Sequence, residues 1–187
     1  EKAAEQGIDT ILTCDNGISA YSQIELAKKK GMTVVITDHH EVPLEEGKEI
    51  IPPADAVIDP KREECSYPFP EICGAVVAYK LVQALYEESG VSREEWLELL
   101  EFAAIATVGD VMKLQDENRM IVKYGLKKLG HTKNLGLKKL AEKTNLDLNS
   151  ITAYHIGFVI GPCLNAGGRL QTAKLALSML LAKDEET

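Results

Sequence analysis

Two β-branched runs, each ending directly on an acid, constrain this chain more than any other feature. Ile8 to Cys14 reads as a buried strand and passes straight into Asp15, within Thr13-Cys14-Asp15-Asn16-Gly17. Met32 to Thr37 reads as a second strand and passes straight into Asp38-His39-His40. Between them, Ser19 to Lys30 carries Ile24, Leu26 and Ala27 and stops at Gly31, the pattern of a short helix with a glycine terminator. A polar, proline-bearing loop over 38–55 leads to a third short strand, Ala56-Val57-Ile58. Strand, helix, strand at this spacing implies a right-handed βαβ crossover, and hence an α/β fold built on a parallel, doubly wound sheet.

The second half predicts a mostly helical region. Gly74 to Glu88 has helical spacing through Val77, Leu81 and Leu85, and Ser92-Arg93-Glu94-Glu95 has the form of a capping box opening a helix to about Val108. Further helices are expected over 118–129, 134–143, 150–160 and 171–183. With 187 residues, 45% of them hydrophobic, the chain can bury a proper core in one domain with at most a small appendage. The longest apolar run, between Glu101 and Asp110, is far too short to span a membrane, and nothing resembles a signal peptide. The four cysteines form no CxxC pair, which argues against a zinc ribbon or a thioredoxin-like site and suggests a reduced, cytoplasmic protein.

Charge is unevenly spread. The net value of −8 divides into −13 over residues 1–122, +6 over 123–143 and −1 over the remainder. That balance argues against a generic nucleic-acid-coating protein and leaves one basic segment, which is either a solvated helix face or a surface that meets phosphates.

Ligands of open α/β sheets bind beyond the carboxyl ends of the strands, so Asp15 and the Asp38-His39-His40 group belong to one rim. Asp110, in Val108-Gly109-Asp110, ends an apolar helix with another carboxylate. Carboxylates with imidazoles suit Mn²⁺ or Mg²⁺ better than a structural zinc. Each residue also has a plainer reading: Asp15 as a turn or cap before Asn-Gly, the histidine pair as solvent-facing side chains of a loop, Asp110 as a helix-ending turn residue. His155, inside an apolar segment, reads as a packed core histidine, and His131 carries no evident chemistry.

Taken with Thr13–Gly17, the run Thr37-Asp38-His39-His40 resembles the DHH phosphoesterase family, and within it the single-strand-specific 5′→3′ exonucleases. The resemblance continues through Val57-Ile58-Asp59-Pro60-Lys61-Arg62, Tyr67-Pro68-Phe69-Pro70, Cys73-Gly74-Ala75 and Thr107-Val108-Gly109-Asp110-Val111. It ends in Gly161-Pro162-Cys163-Leu164-Asn165-Ala166-Gly167-Gly168-Arg169-Leu170, which separates the exonucleases from other DHH members. It implies two divalent ions, Mn²⁺ or Mg²⁺, bridged by Asp15, with His39 and Asp110 completing one shell. His40 would face the scissile phosphate, Asp38 would orient a histidine, and Asn165 and Arg169 would hold a substrate phosphate in a loop ahead of a helix near Gln171.

The implied function is metal-dependent hydrolysis of single-stranded DNA to 5′ mononucleotides in DNA repair and recombination, with single-strand-binding protein and a helicase as partners. The same resemblance leaves open a DHH phosphatase acting on short oligonucleotides, cyclic dinucleotides or pyrophosphate, and a non-catalytic scaffold. Residues 1–170 would be the catalytic domain without its first motif, and 171–187 the start of a helix leading to a further domain. The sequence opens on Glu1, without Met, in what reads as the tail of a helix. The expectation is therefore a piece of a longer polypeptide, whose Asp-x-Asp motif lies upstream and which alone turns over little or no substrate. Cys163 stands where the family pattern has arginine, and aromatic residues make up only 5% of the chain, which places any base-stacking platform in other domains.

Overall fold

The computed structural model describes residues 2–170 and 173–184, the side chains of 167–170 excepted. The chain divides into two compact units, Glu1–Ser92 and Arg93–Thr187. No helix among the described residues is long and apolar enough to cross a membrane.

The first unit opens with a single helical turn, α1 (Lys2–Glu5), and then realises the expected crossover. Strand β1 (Thr10–Cys14), helix α2 (Tyr21–Lys29) and strand β2 (Thr33–Thr37) follow one another, and the two strands pair in parallel from Thr10↔Thr33 to Cys14↔Thr37. The loop expected over 38–55 contains a small antiparallel hairpin, β3 (Leu44–Glu45) with β4 (Lys48–Glu49). Its turn residues Glu46 and Gly47 both have positive φ, as a two-residue hairpin turn needs, yet neither arm carries the apolar alternation that announces a strand. Strand β5 (Ala56–Ile58) then pairs in parallel with β2, giving the order β1-β2-β5. The central strand supplies the core: Val34 and Ile36 are fully buried and pack with Ile24 and Ala27 of α2 and with Met32. Helix α3 (Gly74–Glu88) closes the unit, burying Val76 and Val77.

The second unit is helical. The single helix expected from Ser92 to Val108 is two, α4 (Arg93–Glu98) and α5 (Leu100–Gly109). The break comes at Leu99, whose amide bonds the Trp96 carbonyl three residues back and so shifts the helical register. Helix α6 (Asp116–Leu129) packs closely on α5, because Gly125 sits where a Cβ would run into Ala104 and the Leu100 carbonyl. Helix α7 (Leu135–Lys143) is capped by Asn134, whose side chain accepts the Leu137 amide at 2.9 Å.

The helix expected over 150–160 is assembled from shorter pieces. A 3-10 turn (Leu148–Ser150) precedes α8 (Ala153–His155), which runs through a π-helical stretch (Ile156–Ile160) into α9 (Gly161–Leu170). The glycine-rich motif is thus helical, where a loop was expected. Helix α10 (Ala173–Leu181) follows, and residues 171–172 of the helix expected from 171 lie outside the described residues. Ile105, Leu129, Leu137, Ile156 and Ile160 form this unit's core. His155 is not part of that core: its Nδ1 accepts the Thr152 amide at 3.0 Å, capping the helix start.

One acid is buried among these helices. Glu101 of α5 accepts the Thr132 hydroxyl at 2.8 Å. Burial pushes its carboxyl above the ordinary range against that hydrogen bond, and the nearby Glu98 charge adds to the rise. A raised carboxyl makes the charged form the one that folding penalises, so the cost is absent at low pH and grows as pH rises through the carboxylate range. Glu101→Gln, which keeps an acceptor for Thr132, should therefore melt above the parent at pH 7, with the gap closing toward pH 4. Thermal melts across that range check it.

Candidate metal centre

The parallel register creates the site. Cys14 and Thr37 are paired, so the residues after them leave the sheet side by side. The ladder continues one step beyond the strands: the Asp15 amide bonds the Thr37 carbonyl at 3.0 Å, and the Asp38 amide bonds the Ile58 carbonyl at 3.0 Å. Asp15 takes a left-handed conformation, φ 58°, which turns the chain sharply at the rim and which aspartate tolerates better than most residues. Its Oδ1 lies 3.0 Å from Nε2 of the buried His39.

Asp38 organises the rest. Its carboxylate is almost wholly buried and accepts the Ile18 amide at 2.9 Å and the His39 amide at 2.8 Å. It also meets His40 Nδ1 at 2.7 Å. Burial alone would raise this carboxyl, but the Ile18, His40 and His39 donors outweigh it and hold the group below its ordinary value. An ionised Asp38 accepts only, so Nδ1 of His40 carries a proton, and Nε2 can offer a lone pair to a cation or, when it is protonated as well, a hydrogen bond to a phosphate.

Asp15, His39 and His40 offer one ligand atom each, all within 4.8 Å of one another. Adjacent ligands of an octahedral ion with bonds of about 2.1 Å lie about 3.0 Å apart, and the Asp15–His39 separation matches that edge. The donor set, hard oxygen with imidazole nitrogen, fits Mn²⁺ or Mg²⁺.

Two further features support the rim. The N-terminus of the 15-residue helix α3 abuts Asp15, and Gly74 leaves no space there: a Cβ would overlap both the Asp15 carboxylate and its backbone. A helix N-terminus also favours negative charge beside it. The Cys14 thiol is pushed up by burial and by the Asp15 charge, which keeps it a thiol and not a nucleophile.

The sequence pattern did not single out Asp59 as a site residue. It follows β5 as Asp15 follows β1 and Asp38 follows β2, and it is buried, its Oδ1 accepting the Lys61 amide at 2.9 Å. Burial, helped by the Asp38 charge, pushes its carboxyl up, while its buried Oδ2 has no hydrogen-bond partner among the described residues. Its strand-end position was the available signal, since three successive parallel strands each end on an aspartate.

The remaining expected residues belong to the second unit. Asp110 is exposed and caps the C-terminus of α5, its amide bonding the Ala106 carbonyl at 2.8 Å. Asn165 is exposed on α9, and the side chain of Arg169 lies outside the described residues. Tyr154 and Phe158 stack with ring centroids 4.7 Å apart and remain exposed, so an aromatic surface does exist within this chain.

Comparison with known proteins adds to this geometry. The family model described as "DHH family, N-terminal domain" matches residues 2–107. The single-stranded-DNA-specific exonuclease RecJ of Bacillus subtilis is 41% identical over 180 residues, covering 96% of this chain and 22% of the relative. The crystal structure of RecJ in complex with Mn²⁺ from Thermus thermophilus superposes with a TM-score of 0.81 at 30% identity, covering 99% of this chain and 27% of that one. A crystal structure of exonuclease RecJ bound to manganese gives a TM-score of 0.80 at 31% identity, covering 99% and 46%. The chain thus spans about a fifth of the length of the Bacillus subtilis relative.

The close packing at Gly74 yields a test. Gly74→Ala must displace Asp15, so in the complete protein it should lower Mn²⁺ affinity measured by calorimetry and cost about 1–3 kcal/mol of stability from overpacking. Unchanged Mn²⁺ affinity would show that Asp15 is not held there for a cation.

Proposed function

The chain belongs to the DHH family, and from that premise we propose that it is the catalytic region of a single-strand-specific 5′→3′ DNA exonuclease that releases 5′ mononucleotides. The observation that carries this reading is the Asp15–His39 approach of 3.0 Å at adjacent strand ends, with His40 held beside it by a buried carboxylate. Such an arrangement has no structural need of two imidazoles and suits a divalent cation. The reading is supported by the likeness to RecJ proteins named as single-stranded-DNA-specific exonucleases and to RecJ structures holding Mn²⁺.

In this reading residues 1–170 are the catalytic domain and 171–187 lead onward. Asp15, His39 and Asp110 hold the ions, and Asn165 and Arg169 hold a substrate phosphate. Bound divalent cations supply a nucleophilic water at neutral pH and charge neutralisation at the attacked phosphate. The chain's own residues do the positioning. Asp38 fixes the His40 ring by accepting from Nδ1, which directs Nε2 to the phosphate; the α3 N-terminus favours the negative charge gathered at the rim. We place the activity in the cytoplasm, in DNA repair and recombination, acting on single strands exposed by a helicase and covered by single-strand-binding protein.

The test uses the complete protein that carries this chain, with Mn²⁺ and DNA carrying a radiolabelled 5′ phosphate. Mononucleotides should appear from the 5′ end of the single strand and not from the matching duplex. Asp38→Asn should slow the reaction about 10- to 100-fold, as loss of a group that orients a ligand does, and Asp15→Ala should slow it further. Internal cuts, or digestion undiminished by Asp15→Ala, would overturn the reading.

A further inference from the structure

The seven lysines of residues 123–143 have no part in the catalytic reading, yet they are not spread evenly over a solvated face. Lys127, Lys128 and Lys133 meet Arg93 around a groove of about 980 Å³ in the second unit. The floor is apolar, made by Leu97, Leu100, Leu126, Leu148 and Ile151. Among the described residues lining it, Glu98 is the one carboxylate, and it lies 3.0 Å from Lys128 and 3.4 Å from Lys133. Glu98 therefore holds two ammonium groups in place while the groove keeps a surplus of positive charge.

Tyr124 also lines the groove, with 45% of its surface exposed. The ammonium groups of Lys127 and Lys123 lie 5.5 and 5.8 Å from its ring centroid. An open ring set among cations, over an apolar floor, is the combination by which proteins hold single strands: bases stack on the ring and phosphates meet the cations. The surrounding charge sharpens the preference, because the chain is net negative on both sides of this segment and repels a polyanion elsewhere. Ammonium groups meet phosphates as point charges, and the open Tyr124 ring offers a base a stacking partner for which an acidic peptide has no use.

We propose that this groove binds a stretch of single-stranded DNA, with Lys127, Lys133 and Arg93 on phosphates and Tyr124 beneath a base. The inference rests on the exonuclease reading and deepens it by giving the substrate a second anchoring place.

The experiment measures binding of a fluorescein-labelled oligothymidylate to the complete protein by anisotropy, in chelator so that nothing is cleaved, over a series of KCl concentrations. Lys127→Ala with Lys133→Ala should weaken binding about tenfold at low salt. It should also reduce the slope of log affinity against log salt by about 1.4, since each single-strand phosphate no longer neutralised removes about 0.7. Tyr124→Ala should weaken binding about tenfold with the slope unchanged, as loss of a stacking ring does. Lys127→Arg with Lys133→Arg should keep the parent slope, which separates lost charge from lost fold. Parent affinity and slope in the alanine pair would overturn the proposal. So would an alanine pair that still binds DNA but loses a labelled oligoglutamate peptide that the parent binds, since that assigns the groove to a protein partner. Binding without any cleavage after Mn²⁺ is restored would refute the catalytic reading and leave the groove standing.

Discussion

A carboxylate withdrawn almost wholly from water, Asp38, accepts the amides of Ile18 and His39 and the ring of His40 at once. Each donor satisfies part of a buried charge, and losing one would leave an acceptor unmatched at about 1–3 kcal/mol or more. The loop after β2 therefore has one arrangement in which Asp38 is satisfied, and that arrangement sets both histidines. Because the carboxyl is held below its ordinary value, its contribution to stability is present above the unfolded-state value and is lost as pH falls through the folded one. Stability and site geometry are coupled through the same three hydrogen bonds.

The sheet makes that arrangement useful. Parallel pairing in register from Thr10↔Thr33 to Cys14↔Thr37 delivers Asp15 and Asp38 to the same rim. Asp15 then turns in a left-handed conformation against a glycine that leaves no room for displacement. An exposed carboxylate facing a buried imidazole at 3.0 Å is poised to share a cation, with a helix N-terminus behind it. The third strand contributes a buried acid of the opposite tendency: Asp59 is driven up by burial while Asp38 is driven down by its donors.

Much of this was legible in the sequence because it depends on local pattern. Strands flanked by glycine and followed at once by acids imply a parallel sheet with a shared rim, and Asp15, His39 and His40 are found together there. What was not legible depends on neighbours. The hairpin at Leu44–Glu49 has charged arms and is held by its turn. The break at Leu99 is a one-residue change of hydrogen-bond register, invisible to apolar periodicity. Gly161–Leu170 reads as a loop by its glycine and proline content, yet it continues a helix already started at Ala153, with Pro162 just after the π-helical stretch Ile156–Ile160, where the regular i→i−4 ladder that proline cannot join is already interrupted. Asp59 went unassigned because no histidine beside it advertised chemistry, and the Tyr154–Phe158 pair because composition counts aromatics without saying which are exposed.

The central claim, that adjacent strand ends present Asp15 and His39 to a shared divalent cation, is tested most directly by anomalous diffraction at the manganese edge from crystals of the complete protein soaked in Mn²⁺. The account predicts a peak within about 2.0–2.3 Å of both the Asp15 carboxylate and His39 Nε2, absent in crystals of Asp15→Ala. A manganese peak that touches neither residue, with the Asp15–His39 hydrogen bond intact beneath it, would contradict the account.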